Sequence, residues 1–102
     1  MHLVQILLPL NDNDGRALAK DLFEQVAREL TERFGGVTAY TRAPADGRWR
    51  EEGQATSSDE VVVVEVMVAT LDVAWWSSYR ASLESAFRQK QIIVRAQSIA
   101  VL

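Results

Sequence analysis

The residue with the clearest chemical potential is a glutamate in the middle of an apolar segment. Glu65 interrupts the run 61–68, which otherwise consists of valines and one methionine. An ionised carboxylate surrounded by valines costs several kcal/mol unless something compensates it. Glu65 is therefore expected to pair with a cation, reach water or hold a proton. Arg42 and Arg95 are its natural partners if their strands present them on the same face.

Two interpretations of Glu65 follow from that expectation. The first is a structural ion pair at the sheet or at a subunit interface. The second is an acid, a base or a ligand anchor in a pocket. Tyr40, in a segment rich in β-branched and aromatic residues, is a second candidate acid or base. Trp49 lies between two arginines and is expected to pack on a hairpin or to close a cavity.

Several chemistries are excluded by composition and motifs. The chain has no cysteine and one histidine, which excludes thiol nucleophiles, thiolate zinc sites and multi-histidine metal sites. The acidic turn at 12–15 lacks the remaining ligands of a calcium loop, and the serines lie in no nucleophile elbow. The sequence thus predicts no metal and no cofactor.

Charge and hydropathy limit the partners. A net charge of −3 argues against nucleic acid, because nucleic-acid proteins carry a basic surface. No window approaches the ~20 apolar residues of a membrane span, and no signal peptide is recognisable. We therefore expect a cytoplasmic protein without nucleic-acid or membrane partners.

The elements that must position these residues follow from hydrophobic periodicity. Apolar or β-branched runs predict strands at 3–8, 37–42, 61–68 and 92–101. A four-residue apolar repeat predicts a helix over 16–34, capped by Asn13 or Asp14 at its start and by Gly35–Gly36 at its end. A second helix should follow Asp72 as N-cap. The order β-α-β-β-α-β predicts one α+β domain over 1–102, a ferredoxin-like four-stranded antiparallel sheet with both helices on one face.

Strand alternation then divides the side chains between two faces of the sheet. The even-numbered residues of the first and third strands are expected under the helices. The opposite, open face carries Leu3, Gln5, Leu7, Val61, Val63, Glu65 and Met67. A face this apolar is too large to stay wet on a monomer, so it predicts a dimer or higher oligomer, a bound ligand, or both. Of Trp75 and Trp76, one should pack inward and the other should cover a subunit contact or a cleft edge.

Four segments together resemble a group of small uncharacterised bacterial proteins of about this length. They are Phe34-Gly35-Gly36-Val37-Thr38-Ala39-Tyr40, Pro44-Ala45-Asp46-Gly47-Arg48-Trp49, Val64-Glu65-Val66-Met67-Val68 and Asp72-Val73-Ala74-Trp75-Trp76. In topology the chain is similar to dimeric α/β-barrel proteins, some of which are cofactor-independent oxygenases or small-molecule binders. The segment 14–18 loosely resembles the start of a regulatory amino-acid-binding domain of the ACT type.

Two functional hypotheses remain open. The first is an oligomeric small-molecule-binding or interaction module with a pocket on the open face. The second is a cofactor-independent enzyme of the dimeric α/β-barrel kind, with Glu65 or Tyr40 as acid or base. The candidate ligand-binding residues are Gln5, Arg42, Trp49, Glu65, Met67 and Arg95.

Overall fold

The computed structural model describes residues 1–42 and 61–102, and only the backbone at residue 42. The elements are β1 (His2–Pro9), α1 (Lys20–Phe34), β2 (Thr38–Arg42), β3 (Val61–Val68), α2 (Val73–Ala86) and β4 (Ile93–Ser98). The four strands pair in the order β2-β3-β1-β4, and every pair is antiparallel. The ferredoxin-like α+β fold predicted from the sequence is confirmed. Trp49 lies outside the described residues.

The start of α1 differs from the sequence-based prediction. The helix begins at Lys20 and not near Arg16, and its N-cap, Ala19, makes no side-chain cap. The reason is the turn before it, where an Asp12 carboxylate oxygen accepts hydrogen bonds from the backbone N–H groups of Asp14 and Arg16, both at 2.9 Å. The same turn uses the Arg16 carbonyl, which accepts from the Asp12 backbone N–H at 2.7 Å and is no longer free for a helix that starts there, so these residues fold back instead of joining α1.

The ends of the other elements follow local rules. Gly35 ends α1 in the left-handed conformation, with φ of 90°, and donates its N–H to Thr31 O at 2.8 Å. The Asp72 carboxylate caps α2 by accepting from the backbone N–H of Trp75 at 3.1 Å, as predicted. β4 ends at Ser98 and is shorter than expected, because His2, its last partner on β1, pairs with Ser98.

The core lies between the sheet and the two helices. The even-numbered residues of β1 and β3 face the helices, as alternation predicted. Trp76 is the inward member of the tryptophan pair and is buried, whereas Trp75 is half-buried and packs edge-on against Phe34 at 5.3 Å. The buried core consists of Val4, Ile6, Leu8, Val26, Leu30, Val64, Val66, Val68, Trp76, Leu83, Phe87 and Ile92.

Candidate functional site

A row of polar side chains crosses the middle of the open face. The strand register places Gln5 of β1 directly opposite Glu65 of β3 on one side and Arg95 of β4 on the other. On the other side of β3, Thr38 of β2 stands directly opposite Glu65. Residues directly opposite on antiparallel strands have Cβ atoms about 5 Å apart, so these side chains are immediate neighbours. Each of the four strands thus has a polar residue at this level of the sheet, with Thr38 as the one on β2.

Hydrogen bonds join the row into a chain. Arg95 Nε donates to Gln5 Oε1 at 2.9 Å, and Gln5 Nε2 donates to Glu65 Oε2 at 2.6 Å. Tyr40, diagonal to Glu65 on β2, donates its hydroxyl to the same oxygen at 3.2 Å. We call Arg95, Gln5, Glu65 and Tyr40 the polar row. The structure therefore brings together four residues to which the sequence assigned a role in the site.

The orientation of Gln5 follows from the charges on either side. A guanidinium can only donate hydrogen bonds and an ionised carboxylate can only accept them. The amide satisfies both by turning its oxygen to Arg95 and its nitrogen to Glu65. Arg95 therefore makes no direct ion pair with Glu65 within the described chain; their connection runs through Gln5. Burial of Glu65 is partial, so the second carboxylate oxygen can still be hydrated.

Apolar residues flank the polar row on both sides. On one side Ile93, Leu7 and Val63 stand opposite one another across three strands; on the other side Leu3 stands opposite Met67. Val63 is buried, but Ile93 keeps 49% and Met67 57% of its surface exposed. These two side chains lie on opposite sides of the polar row, with β1 between their strands, so the open face exposes apolar surface at two separate places.

A depression of about 510 Å³ lies at one end of the open face. Glu65 and Met67 line it together with Leu3 and Thr38, and the turn at the end of α1 closes one side. Gln5, Tyr40 and Arg95 do not line it. Arg95 instead borders a separate cavity of about 280 Å³ between α2 and β4. The depression thus pairs a carboxylate and a hydroxyl with apolar walls.

Thr38 and the Gly35–Gly36 turn were not among the site residues expected from the sequence. Thr38 shares strand parity with Tyr40, two residues along β2, so alternation alone could have placed it on the open face. Of the expected residues, Arg42 belongs to β2 by its backbone, and nothing further is described for it.

The described residues contain no cluster of three or more side chains suited to a metal ion. Neither α1 nor α2 has the length and apolar character needed to cross a bilayer. The side chains of the polar row offer hydrogen bonding, charge pairing and proton exchange between a phenol and a carboxylate.

Comparison with known proteins gives similarity in fold. A phage SAM lyase in complex with S-methyl-5'-thioadenosine superposes with a TM-score of 0.59 at 17% sequence identity, covering 95% of this chain and 80% of that one. The same kind of enzyme, a phage SAM lyase in its apo state, gives a TM-score of 0.55 at 16% identity over 94% of this chain and 78% of that one. No family model and no curated protein matches the sequence. At these identities the likeness concerns the fold alone.

Proposed function

We propose that the protein binds a small molecule on the open face of its sheet and does so as a homo-oligomer. The observation that carries this proposal is the polar row, a hydrogen-bonded chain crossing all four strands in the middle of an otherwise apolar face. Glu65 of this row also lines the depression, and a few polar groups within an apolar concave surface are the usual composition of a ligand site. The cytoplasmic location expected from the sequence stays part of this proposal.

The depression next to Glu65 indicates what kind of molecule would fit. The Glu65 carboxylate accepts hydrogen bonds from hydroxyl or amine groups, and the Thr38 hydroxyl adds a second polar contact. Leu3 and Met67 supply apolar walls, and the flexible methionine side chain adapts its shape and contacts aromatic rings favourably. A small molecule with a hydroxyl-bearing part and an apolar part meets both requirements. A fold neighbour solved with S-methyl-5'-thioadenosine makes that compound a reasonable probe.

Oligomerisation is the second part of the proposal. Ile93 and Met67 leave large apolar surface exposed at two separate places on the same sheet face. A second copy would remove both from water, and it would also enclose the depression.

Native mass spectrometry of the purified protein, with the denatured mass alongside, tests both parts. We expect a multiple of the 11.4 kDa chain that carries additional mass, either as purified or after incubation with S-methyl-5'-thioadenosine, and loses that mass on denaturation. Calorimetric titration with the same compound should show binding that Glu65→Gln weakens. Glu32→Gln, an exposed carboxylate on α1, is the matched control and should bind as the unaltered chain does. A ligand-free monomer that does not bind the probe would refute the proposal.

A second candidate function is supported by the contact between Tyr40 and Glu65. A phenol 3.2 Å from a carboxylate can pass a proton, and the fold neighbours are lyases. In this alternative Glu65 and Tyr40 act as base and acid in a reaction without a cofactor. Incubation with SAM, followed by chromatography and mass detection, should show loss of SAM that Glu65→Gln and Tyr40→Phe both abolish. Turnover unaffected by Glu65→Gln would reject this alternative.

A further inference from the structure

We propose that two copies of this chain pair through their open faces about a two-fold axis parallel to β1, so that Arg95 of each copy binds Glu65 of the other. The inference rests on the oligomer of the proposed function and specifies its geometry. It adds that each ligand depression is completed by residues of the partner.

The charges of the polar row are arranged symmetrically about β1. Gln5 occupies the central position, with Arg95 one strand away on one side and Glu65 one strand away on the other. Neighbouring strands lie about 4.8 Å apart, so the cation and the anion are placed at roughly equal distances from β1. A half-turn about an axis lying above β1, in the plane between the sheets, exchanges these two positions. The guanidinium of one copy then stands over the carboxylate of the other, twice per dimer.

Other two-fold arrangements of the same faces do not pair the charges. An axis across the strands, through the polar row, places Arg95 over Arg95 and Glu65 over Glu65. Like charges facing each other across an interface oppose association. An axis diagonal to the strands sets the charged positions of one copy against apolar rows of the other, where they would lose hydration without gaining a partner. Charge complementarity therefore selects the axis along β1, which also gives the aligned packing that is common for two sheets.

Arg95 and Glu65 each keep hydrogen-bonding atoms that no described residue uses, which agrees with this arrangement. Arg95 donates to Gln5 through Nε, and within the described chain its two terminal nitrogens have no acceptor. Glu65 receives both of its hydrogen bonds on Oε2, and no described residue donates to Oε1. Packed sheets are about 10 Å apart, a gap that an extended arginine and a glutamate can span between them. The pair would then form a charge-assisted hydrogen bond between copies.

The apolar rows fit the same axis. Ile93 on β4 would lie over the partner's β3, where Val63 is already buried in the single chain, and Leu7 on β1 would meet its own copy. Met67 on β3 would meet the aliphatic part of the partner's Gln97. Among the residues that the structure describes, Ile93 and Met67 are the most exposed large apolar side chains apart from those near the chain ends and on α2, and both would thereby be covered. β2 extends beyond the edge of the partner's β4, so Tyr40 stays accessible at the rim.

Two charge-reversal variants and their mixture test the pairing. Arg95→Glu alone places two carboxylates in contact across the interface, and Glu65→Arg alone places two guanidinium groups there. Each variant should dimerise at least about tenfold more weakly than the unaltered chain. Mixing the two should restore dimers, because every contact between an Arg95→Glu chain and a Glu65→Arg chain joins opposite charges. Native mass spectrometry with one variant labelled with nitrogen-15 identifies the mixed species directly. Arg80→Glu, on the helix layer, should leave dimerisation unchanged.

Cross-linking provides a test that does not depend on charge reversal. The chain has no native cysteine, so single thiols can be introduced on β1 and on β2. Leu7→Cys lies on the proposed axis, and a short thiol-reactive cross-linker should join the two copies. Thr38→Cys lies two strands from the axis, with its copies roughly 20 Å apart across the dimer, and should not be joined by the same reagent.

The outcomes separate this inference from the proposed function. A dimer whose Leu7 thiols do not cross-link, or charge variants that mixing does not restore, would overturn the inference and leave the oligomeric ligand-binding proposal intact. A trimer or larger ring would do the same. A monomer would instead remove the oligomer from the proposed function.

Discussion

Gln5 is the residue that lets opposite charges share one sheet face without touching. Its amide accepts from Arg95 and donates to Glu65, and hydrogen bonds to charged groups contribute about 1.5–3 kcal/mol when they are shielded from water. Arg95 is exposed here, so the contribution of its bond is smaller. The amide also fixes the positions of the two charges. This positioning matters more for recognition of a ligand or a second copy than for the free energy of unfolding.

A second polar contact, between Tyr79 and Glu29, joins the two helices. The Tyr79 hydroxyl donates to Glu29 Oε1 at 3.1 Å, and its ring stacks on Trp75 with centroids 4.9 Å apart. Burial raises the pKa of the Tyr79 phenol well above its usual range, and the neighbouring Glu29 carboxylate raises it further by repelling the phenolate and accepting its proton in a hydrogen bond.

That raised pKa has a consequence for stability at alkaline pH. The folded state holds the Tyr79 proton more tightly than the unfolded state, whose tyrosine titrates near 10.0. The stabilisation is therefore complete below about pH 10 and is lost progressively above it. Urea unfolding at about pH 9 and about pH 11 should show a larger loss of unfolding free energy for the unaltered chain than for Tyr79→Phe. At neutral pH the variant should be less stable by about 1 kcal/mol, the contribution of one hydrogen bond. Equal losses in the two proteins would contradict this account.

At the scale of elements, the end of α1 determines where β2 begins and therefore where Thr38 and Tyr40 stand. Gly35 adopts a φ of 90°, which a side chain would strain, whereas the neighbouring Gly36 does not have a positive φ. At both glycines the position that a Cβ would occupy is open, with no neighbouring atom within 4 Å. Backbone conformation is therefore the main difference between the two sites.

The pair Gly35→Ala and Gly36→Ala isolates that difference. Gly35→Ala should lower the free energy of unfolding by about 1 kcal/mol, since alanine in the left-handed region costs that much. Gly36→Ala should change it by less than about 0.5 kcal/mol. Urea denaturation followed by circular dichroism measures both. Equal destabilisation by the two substitutions would show that the helix end does not depend on the left-handed residue.

The elements themselves could be predicted from sequence because their apolar periodicities are strong. The valine run at 61–68 has one compatible place, in the middle of the sheet, and Asp72 stands where an N-cap is needed. The start of α1 could not be predicted in the same way. Its apolar repeat continues back to Leu18, but the Arg16 carbonyl, which a longer helix would use, accepts from the Asp12 backbone N–H at 2.7 Å, and the Leu18 N–H donates to Leu10 O at 2.9 Å.

The candidate site could be predicted only in part. Alternation placed Gln5 and Glu65 on one face, and a carboxylate among valines stands out in the sequence as a group that needs a partner. The direct pairing expected between Glu65 and Arg95 does not form, because β1 lies between their strands and Gln5 mediates the contact. The depression depends on how the turn after α1 approaches the sheet edge, which is a tertiary property.

For the whole molecule, the two faces of the sheet differ in what covers them. The helix face is covered by α1 and α2 and holds the buried core, while the open face retains exposed apolar side chains on β3 and β4. Exposed apolar residues also occur in the helix layer: Val73, at the start of α2, is 65% exposed. If the open face is an interface, a charge that replaces an exposed apolar residue there should weaken association between copies. The same replacement in the helix layer should not.

Ile93→Lys and Val73→Lys test that difference with matched changes. Ile93 is 49% exposed on the open face, so a lysine there can remain solvated in the single chain and the fold should persist with little change in Tm. In an oligomer the same lysine would have to lose its hydration among apolar side chains, so Ile93→Lys should shift the sedimentation coefficient to that of a monomer. Val73→Lys places the same charge on the helix layer and should leave the oligomer intact. Should both variants sediment alike, whether as monomers or as oligomers, the open face would not be the surface through which copies of this chain associate.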